Sequence, residues 1–374
     1  MSTSMNATPP DDKLENAIEL RDVAGLSQGQ IVRRRFFRHK GALVGLATLL
    51  AIIVLAFSSM GVGPIPGWWT QTGAPGPVVN PQGGPTASLP TWLGGDGFAW
   101  GEHPFGQDEI GRDIFALVML GTQTSLRIMA IISIVACVIG VAVGSLSGFF
   151  RGRLDTLLMR GTDLVITIPT IVIGAVIGRI FAGISPTLFA IFLGVILWPS
   201  LARLVRGEFL TLREREFVDA ARVAGASSSR IIFKHILPNA VGVIIVSTTL
   251  LMSTAILLET ALSFLQFGIQ PPDVSLGRLI SEYQSAFSTR PWLFWWPGLF
   301  IVLIALSVNF IGDGLRDAFD PRQKRIPSRR KMERAQRLDR AETPGVLDAS
   351  SGRAAAPDAR DGDLGGAGGP RSGR

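Results

Sequence analysis

The chain has 374 residues, of which 47% are hydrophobic and only 17% are charged, and its formal net charge is +7. Soluble domains carry about 25% charged residues, so this composition argues against an ordinary soluble protein and favours one that spans a membrane. The single cysteine, Cys137, excludes a disulfide bond within the chain.

Long stretches without charge predict the membrane-spanning helices. No Asp, Glu, Lys or Arg occurs in 42–60, 128–150, 180–202, 236–258 or 291–312. Crossing the hydrocarbon takes about 20 apolar residues, in a helix because lipid offers the backbone no hydrogen-bond partner. The stretch 164–202 holds one interior charge, Arg179, and then the turn sequence Gly183-Ile184-Ser185-Pro186, so it predicts two helices joined by a hairpin. The prediction is an all-α polytopic membrane protein with six transmembrane helices.

The position of the basic residues predicts the orientation of the chain. If the N-terminus is cytoplasmic, most of the 36 Lys and Arg residues fall in segments on the cytoplasmic side. Those that do not are Arg112, Arg127, Arg179, Arg278 and Arg290. The positive-inside rule therefore places both termini in the cytoplasm. The basicity follows from this topology, and no nucleic-acid partner is expected.

Spans and charge together divide the chain into five segments. These are a cytoplasmic N-terminal segment (1–41), the first span (42–60), an external Gly/Pro-rich loop (61–123), a core of five further spans (124–313) and a cytoplasmic tail (314–374). The tail has few apolar residues to bury, so it is predicted to be largely disordered.

The end of the external loop predicts a short helix on the membrane surface. In "HPFGQDEIGRDIFALVMLG" (103–121), Ile114, Phe115, Val118 and Met119 recur at helical spacing before Gly121. In the second span that follows, Gly140, Gly144 and Gly148 share one helix face. Small residues at this spacing let two helix backbones approach closely, so they predict packing against another span.

The polar stretch between the fourth and fifth spans predicts two helices joined by a glycine. In "REREFVDAARVAG" (213–225), Phe217, Ala220, Ala221 and Ala224 form one narrow apolar stripe. Gly225 favours a helix end because glycine tolerates positive φ. The serines at 227–229 then offer N-cap oxygens for a second short helix, and Pro238 suits the first turn of the fifth span.

A helix with an alanine stripe can lie in a groove of another protein, or it can pack on the ends of its own spans. The pattern alone leaves both possibilities open.

The spacing of this loop resembles a known family. The pattern D-A-A-x-x-x-G-x(9)-H-x-L-P, from Asp219 to Pro238, is similar to the EAA loop of ABC importer permeases, E-A-A-x-x-x-G-x(9)-I-x-L-P. Asp219 replaces the usual Glu and keeps its charge, and His235 stands where Ile is common. "KHILPNA" resembles the dipeptide and oligopeptide branch, as do "HPFGQDEIGRDIF", "LLETALSFLQFGIQPP" and "NFIGDGLRDAFDPR". The chain most resembles the C-type subunit of that branch.

The resemblance implies a type I ABC importer permease fold, with the core 124–313 carrying a coupling loop at 206–237. Such a subunit pairs with a homologous permease to form the translocation path. One or two cytoplasmic ATPases dock on its loop, and an extracytoplasmic binding protein delivers the peptide. Matching the motif assigns the coupling role to Phe217, Asp219, Ala220, Ala221, Ala224, Gly225, His235, Leu237 and Pro238.

Neither an enzyme nor a metal site is expected in this chain. A phosphate-binding loop needs G-x-x-x-x-G-K-[ST]. The nearest match, "GQDEIGRD" (106–113), has Arg112 and Asp113 at its end and lies on the predicted external side. ATP and magnesium are therefore expected on partner chains. His39, His103 and His235 lie far apart on opposite faces, which predicts no metal cluster.

Glu259, near the outer end of the fifth span, is the remaining candidate. Acidic groups at membrane depth are functional candidates by default. Glu259 either faces a water-filled path and meets the amino end of a peptide, or hydrogen-bonds at the outer interface; Arg179 and Arg278 are weaker candidates of the same kind.

Two other functions remain open beside peptide import. Nickel or another small solute fits the same permease family, because the pore lining decides the substrate. A second class, an ATP-independent transporter or channel, is disfavoured because the predicted midplanes carry almost no charge.

Overall fold

The computed structural model describes residues 28–88, 97 and 99–319. Predictions made for residues 1–27 and for the tail from 320 onward, including its disorder, lie outside this part of the chain. The described residues are mostly helical, and a short hairpin of β1 (Gly61–Val62) and β2 (Ile65–Pro66) follows the first span.

The helices, in chain order, are α1 (Gln28–Phe36), α2 (Lys40–Met60), α3 (Ile114–Phe150), α4 (Gly152–Thr167), α5 (Thr170–Ile180), α6 (Pro186–Arg213), α7 (Glu216–Val223), α8 (Ser228–Phe264), α9 (Leu276–Tyr283) and α10 (Trp292–Phe319). Helices α2, α3, α6, α8 and α10 are each long and apolar enough to cross a membrane, and α4 with α5 supplies a sixth crossing if that bent pair counts as one span. The prediction of an all-α polytopic membrane protein is confirmed.

The third predicted span differs from expectation. It is a pair of helices, α4 and α5, bent by 77°. The bend falls at Ile168, whose φ of −89° and ψ of 128° are extended. Pro169 follows it, and proline disfavours the helical conformation of the residue before it. The charged stretch 150–163 lies between the second and third predicted spans. It forms no loop, and most of it belongs to α4.

The surface helix predicted at 114–121 is not a separate element. These residues are the first turns of α3, which runs unbroken for 37 residues. The helix begins at Asp113, whose Oδ2 accepts a hydrogen bond from the Ala116 N–H at 2.8 Å. Ile114, Phe115 and Met119 are all buried, because the preceding loop covers this end of α3, and no apolar face remains for a membrane surface.

The helices alternate in direction, so the bundle has two distinct ends. Segments 61–88 and 99–113, which we call the loop of the capped end, gather with segment 265–291 at one end of the bundle, the capped end. The connection 214–227 lies at the other, which we call the basic end. Here the imidazole of His39, which precedes α2, lies 3.3 Å from the Asp317 carboxylate at the end of α10.

Close packing between α3 and α6 forms the centre of the bundle, as the glycine spacing predicts. A Cβ added at Gly144 would lie 2.5 Å from the Ala202 carbonyl oxygen, and one at Gly148 would lie 2.7 Å from the Cβ of Phe209. Side chains larger than hydrogen cannot fit at either position. The glycines therefore serve packing within the chain.

Candidate functional site

The buried face of α7 is narrower than the sequence predicts. Val218 and Ala221 are buried against Ile232 and Ile236 of α8 and Phe209 of α6. Of the predicted stripe, only Ala221 lies on this face. The reason is the position of α8, whose first turns cover the side of α7 that carries Val218.

The opposite side of α7 is apolar and exposed. It consists of Phe217, Ala220, Val223 and Ala224, which we call the outer face of α7. Phe217 is 39% exposed and Val223 is 91% exposed. Asp219 lies at its edge, where its carboxylate is 2.7 Å from a guanidinium nitrogen of Arg222. A loop helix with one buried and one exposed apolar face can pack on its own spans and still bind a second protein.

Gly225 ends α7 in the manner that the sequence predicts. Its φ is +77°, in the left-handed region that favours glycine. The Gly225 N–H donates to the Arg222 carbonyl at 2.9 Å, and the Ala226 N–H donates to the Ala221 carbonyl at 3.0 Å. These two bonds are those of a Schellman motif, which satisfies carbonyls that a helix end leaves free. The direction of the chain between α7 and α8 is therefore fixed by backbone geometry.

The second short helix and the fifth span are one element, contrary to expectation. Helix α8 runs from Ser228 to Phe264, and Ile231–Ile236 within it is a π-helix. Ser227 precedes the helix but makes no side-chain cap bond. The wider turn comes just before Pro238, which has no N–H to donate and would crowd a normal helical turn. Helix α8 is therefore continuous from the connection 214–227 into the bundle.

The remaining motif residues lie along this start of α8. Pro238 is exposed in the first turn of the regular α-helix, as predicted. Leu237 packs against the cluster around Phe209, and His235 is half-buried, with its carbonyl accepting a hydrogen bond from the Asn239 side chain at 2.7 Å. The structure thus leaves Phe217, Ala220 and Ala224 exposed, while Ala221 and Leu237 lie in the packed cluster.

Glu259 lies in α8 near the capped end and is fully buried. Its Oε1 accepts a hydrogen bond from Ser263 at 2.8 Å, and its Oε2 accepts one from Ser125 of α3 at 3.2 Å. The Ser275 hydroxyl lies 3.5 Å from that of Ser263. The Glu259 side chain is therefore enclosed and does not face an open path in this structure.

A second group of charged residues joins the loop of the capped end to α9. The Arg112 Nε donates to Asp108 at 2.6 Å, while its Nη2 donates to Glu282 at 2.5 Å and to the Tyr283 hydroxyl at 3.1 Å. Burial alone would lower the pKa of Arg112, but the hydrogen bonds to Glu282 and Asp108 outweigh it and raise that pKa. Burial and the Asp108 carboxylate raise the pKa of the Tyr283 phenol. A pocket of about 240 Å³ opens beside this group.

Sequence reasoning did not find this group or the serines around Glu259. The available signals were the density of charge within "GQDEIGRD" and the occurrence of the chain's single tyrosine, Tyr283, directly after Glu282. The partners are separated by about 170 residues in the chain, so no local pattern could pair them.

Comparison with known proteins decides the family. Residues 140–325 match the binding-protein-dependent transport system inner membrane component family, and residues 27–66 match the N-terminal transmembrane domain of oligopeptide transport permease C. The oligopeptide transport system permease protein OppC of Mycobacterium tuberculosis is 35% identical over 301 residues, which is 80% of this chain and 97% of that protein. The chain belongs to the oligopeptide branch of the ABC transporter permeases.

Other relatives carry similar names. A putative peptide transport system permease of Brucella abortus is 36% identical to this chain over 302 residues, covering 80% of this chain and 94% of that protein. A putative peptide permease of Brucella ovis is 40% identical over 238 residues, covering 63% and 75% respectively. An inward-facing structure of the MetNI methionine ABC transporter aligns with a TM-score of 0.46 and 20% identity over 55% of this chain and 96% of that chain.

The family assignment agrees with the predicted type I ABC permease fold. It also places this chain among inner-membrane permease subunits. The permease match spans α6, α7 and α8, and therefore includes the outer face of α7 and Glu259 with Ser263 and Ser275, while Ser125 lies outside it.

Proposed function

We propose that this chain is the permease subunit of an ATP-driven importer of di- and oligopeptides, forms half of the translocation path, and is coupled to a separate cytoplasmic ATPase through α7. The observation that carries the proposal is the exposed, apolar outer face of α7 at the end of a rigid Gly225 turn. Exposed Phe217 and Val223 have no role in packing the loop, so they are available to a partner.

The shape of this surface suits a groove on another protein. The outer face spans two turns of helix, and the alanines at 220 and 224 let a partner surface approach the backbone closely. Asp219 and Arg222 lie beside it and offer one charge of each sign. Such a helix is recognised through its apolar face, while charges at the edge set its orientation.

Transmission of force from α7 rests on the packing of its other face. Val218 and Ala221 are buried against α6 and α8, two of the membrane-crossing helices. A partner that moves α7 by binding its outer face therefore also moves the starts of these spans. ATP and magnesium bind the partner ATPase, of which the importer has one or two, and this chain needs no nucleotide site of its own.

The proposed orientation places the basic end in the cytoplasm, with both termini. Arg151, Arg213 and Arg215 lie at this end, as the positive-inside rule requires. The capped end then faces outward, where an extracytoplasmic binding protein delivers the peptide. A homologous permease subunit completes the path, and lipid covers the remaining apolar surface.

The test is a substitution on the outer face of α7 that leaves its buried face intact. Ala220→Arg places a long charged side chain on an exposed position, so the fold should be unaffected. We expect peptide-stimulated ATPase activity and peptide uptake of the assembled complex to fall at least tenfold, on the order of the loss of one interface anchor. A bulky residue at Ala221 is less suitable, because Ala221 is buried and its replacement disturbs the loop.

Thr156→Arg is the matched control, since Thr156 is also exposed near the basic end but lies on α4. It should retain activity, and both variants should match the wild type in membrane level and thermal stability. Normal coupling in the Ala220→Arg complex would show that α7 is not the docking helix. Failure of the wild-type complex to import any labelled peptide would instead contradict the proposal that peptides are the substrate.

A further inference from the structure

Three serines from different parts of the chain surround the carboxylate of Glu259. Ser125 and Ser263 donate to it, and Ser275 donates to Ser263 at 3.5 Å. Ser125 lies on α3, Ser263 lies one turn after Glu259 on α8, and Ser275 immediately precedes α9. All three serines are buried, as is Glu259. We call these four residues the serine cage. Within the described residues, no Lys, Arg or His forms an ion pair with Glu259.

The hydrogen bonds of the cage have a fixed direction. Ser125 Oγ accepts from the Leu276 N–H at 3.2 Å, and Ser263 Oγ accepts from the Ile269 N–H at 3.1 Å. Each hydroxyl therefore accepts one backbone N–H and donates its own hydrogen to Glu259, one to each carboxylate oxygen.

The N-terminus of α9 is joined to Glu259 through serines. Ser275 is the N-cap of this helix, and its Oγ accepts from the Arg278 N–H at 3.2 Å. Ser125 accepts the Leu276 N–H, and the Ser263 hydroxyl lies 3.5 Å from that of Ser275. Through these serines, Glu259 connects α9 to α3 and α8.

The other end of α9 reaches the loop of the capped end. Glu282 and Tyr283, in its last turn, both contact Arg112, whose partner Asp108 lies in the same loop. Tyr283 also donates to Asp108 at 3.1 Å. A continuous set of hydrogen bonds therefore runs from Glu259 through α9 to the segment that closes this end of the bundle.

We propose that Glu259 is a positioning residue for transport: its carboxylate holds α9 against α3 and α8 and so keeps the loop of the capped end closed. The proposal rests on the proposed transport function. Opening of this end requires α3 and α8 to separate, and that separation pulls Ser125 away from Glu259. Glu259 thus acts on the closed conformation rather than on the peptide.

Local hydrogen exchange of the full-length protein in lipid nanodiscs tests this proposal. In Glu259→Gln, the NH2 group of the new side chain faces a serine hydroxyl that also donates. Two donors then face each other, and that hydrogen bond is lost. We expect the amides of 276–283 to exchange about tenfold faster or more, the size expected when a buried hydrogen bond is lost. Glu259→Asp keeps the carboxyl group and should restore part of the protection.

Two further variants keep the outcome decisive. Ile256→Val removes a methyl group from an equally buried position one turn earlier on α8, and it should leave exchange in 276–283 unchanged. Ser125→Ala removes one donor to Glu259 and also the acceptor of the Leu276 N–H, so it is scored on the amides of 277–283 alone. These amides should exchange faster, and this variant replaces Glu259→Gln if the latter does not accumulate in the membrane. Unchanged exchange in Glu259→Gln, or in Ser125→Ala, overturns the proposal, as does equal acceleration in Ile256→Val.

A transport measurement separates positioning from simple stability. In Glu259→Gln, we expect the maximal uptake rate to change at least threefold while the peptide concentration for half-maximal uptake stays within twofold, because Glu259 does not touch the peptide. A change only in the peptide concentration for half-maximal uptake would instead indicate that Glu259 lies on the translocation path. The exchange experiment needs no substrate, so it remains valid even if the proposed peptide function is wrong.

Discussion

Arg206 forms a two-pronged ion pair with Asp155, with its Nε and Nη2 atoms 2.6 and 2.7 Å from the two carboxylate oxygens. The pair joins α6 to α4, and the Ser147 hydroxyl donates to the same carboxylate from α3. Three helices therefore meet at one carboxylate near the basic end. Planar, two-pronged pairs of this kind are stronger and more specific than a single contact.

We expect Arg206 and Asp155 to stabilise the bundle as a pair. Asp155 is only 17% exposed and Arg206 32% exposed, so solvent screens the interaction only in part. Arg206→Met and Asp155→Asn should each lower the free energy of unfolding by about 1–2 kcal/mol, with a coupling energy of about 1 kcal/mol in the double variant. Unfolding of the four proteins in mixed micelles measures these values. If the effects of the two single changes add exactly in the double variant, the ion pair contributes no coupling energy.

Gly144 should not tolerate even a methyl group. An alanine Cβ would lie 2.5 Å from the Ala202 carbonyl oxygen and 2.8 Å from the Val205 Cβ, so α3 and α6 would have to move apart. We expect Gly144→Ala to lower the free energy of unfolding by about 1–3 kcal/mol, the usual cost of overpacking.

Gly207 on α6 provides the control for this experiment. A Cβ at Gly207 meets no atom within 4 Å. Because alanine stabilises a helix more than glycine does, Gly207→Ala should be neutral or stabilising by up to about 1 kcal/mol. The same unfolding assay compares both variants. Equal effects at the two glycines would mean that the close approach of α3 and α6 is not needed.

Tyr283 should remain protonated well above the pH at which tyrosine normally ionises. Burial raises its pKa from an ordinary value near 10. The folded protein therefore retains a proton that the unfolded chain releases. Stability from this group is fully present below about pH 10 and is lost as the pH rises above it.

The measurement uses the fact that the chain has one tyrosine. Phenolate absorbance during an alkaline titration reports Tyr283 alone, and Tyr283→Phe supplies the baseline. We expect the signal to appear only with unfolding, which circular dichroism follows in parallel. A reversible phenolate signal near pH 10 in the folded protein would contradict the buried position of Tyr283 beside Asp108.

The sequence was informative where a structural property depends on neighbouring residues in the chain. Charge-free windows identified α2, α6, α8 and α10 because a helix satisfies its own backbone hydrogen bonds in lipid. Gly225 identified the end of α7 because positive φ is a property of one residue. The break in the third span was not predicted, although Pro169 was a local signal for it. The family resemblance, drawn from motif spacing, is confirmed by the relatives.

Other features depended on contacts between distant parts of the chain. The stripe Phe217, Ala220, Ala221 and Ala224 was correctly apolar, but the position of α8 decided that Val218 and Ala221 are the buried pair. Glu259 was a candidate from its place in the sequence, and its bond to Ser125 joins residues 134 positions apart. Helical periodicity shows that a face is apolar and cannot show which neighbour covers it.

The sequence by itself determined the membrane-spanning character, the helical class and the turn at Gly225, because desolvation of the backbone and the steric limits on φ act locally. Only the tertiary structure decided which side of α7 is exposed, where α4 and α5 break apart, and how Glu259 is bonded. A buried carboxylate and an exposed apolar face are each defined by what packs beside them, and packing is a property of the assembled bundle.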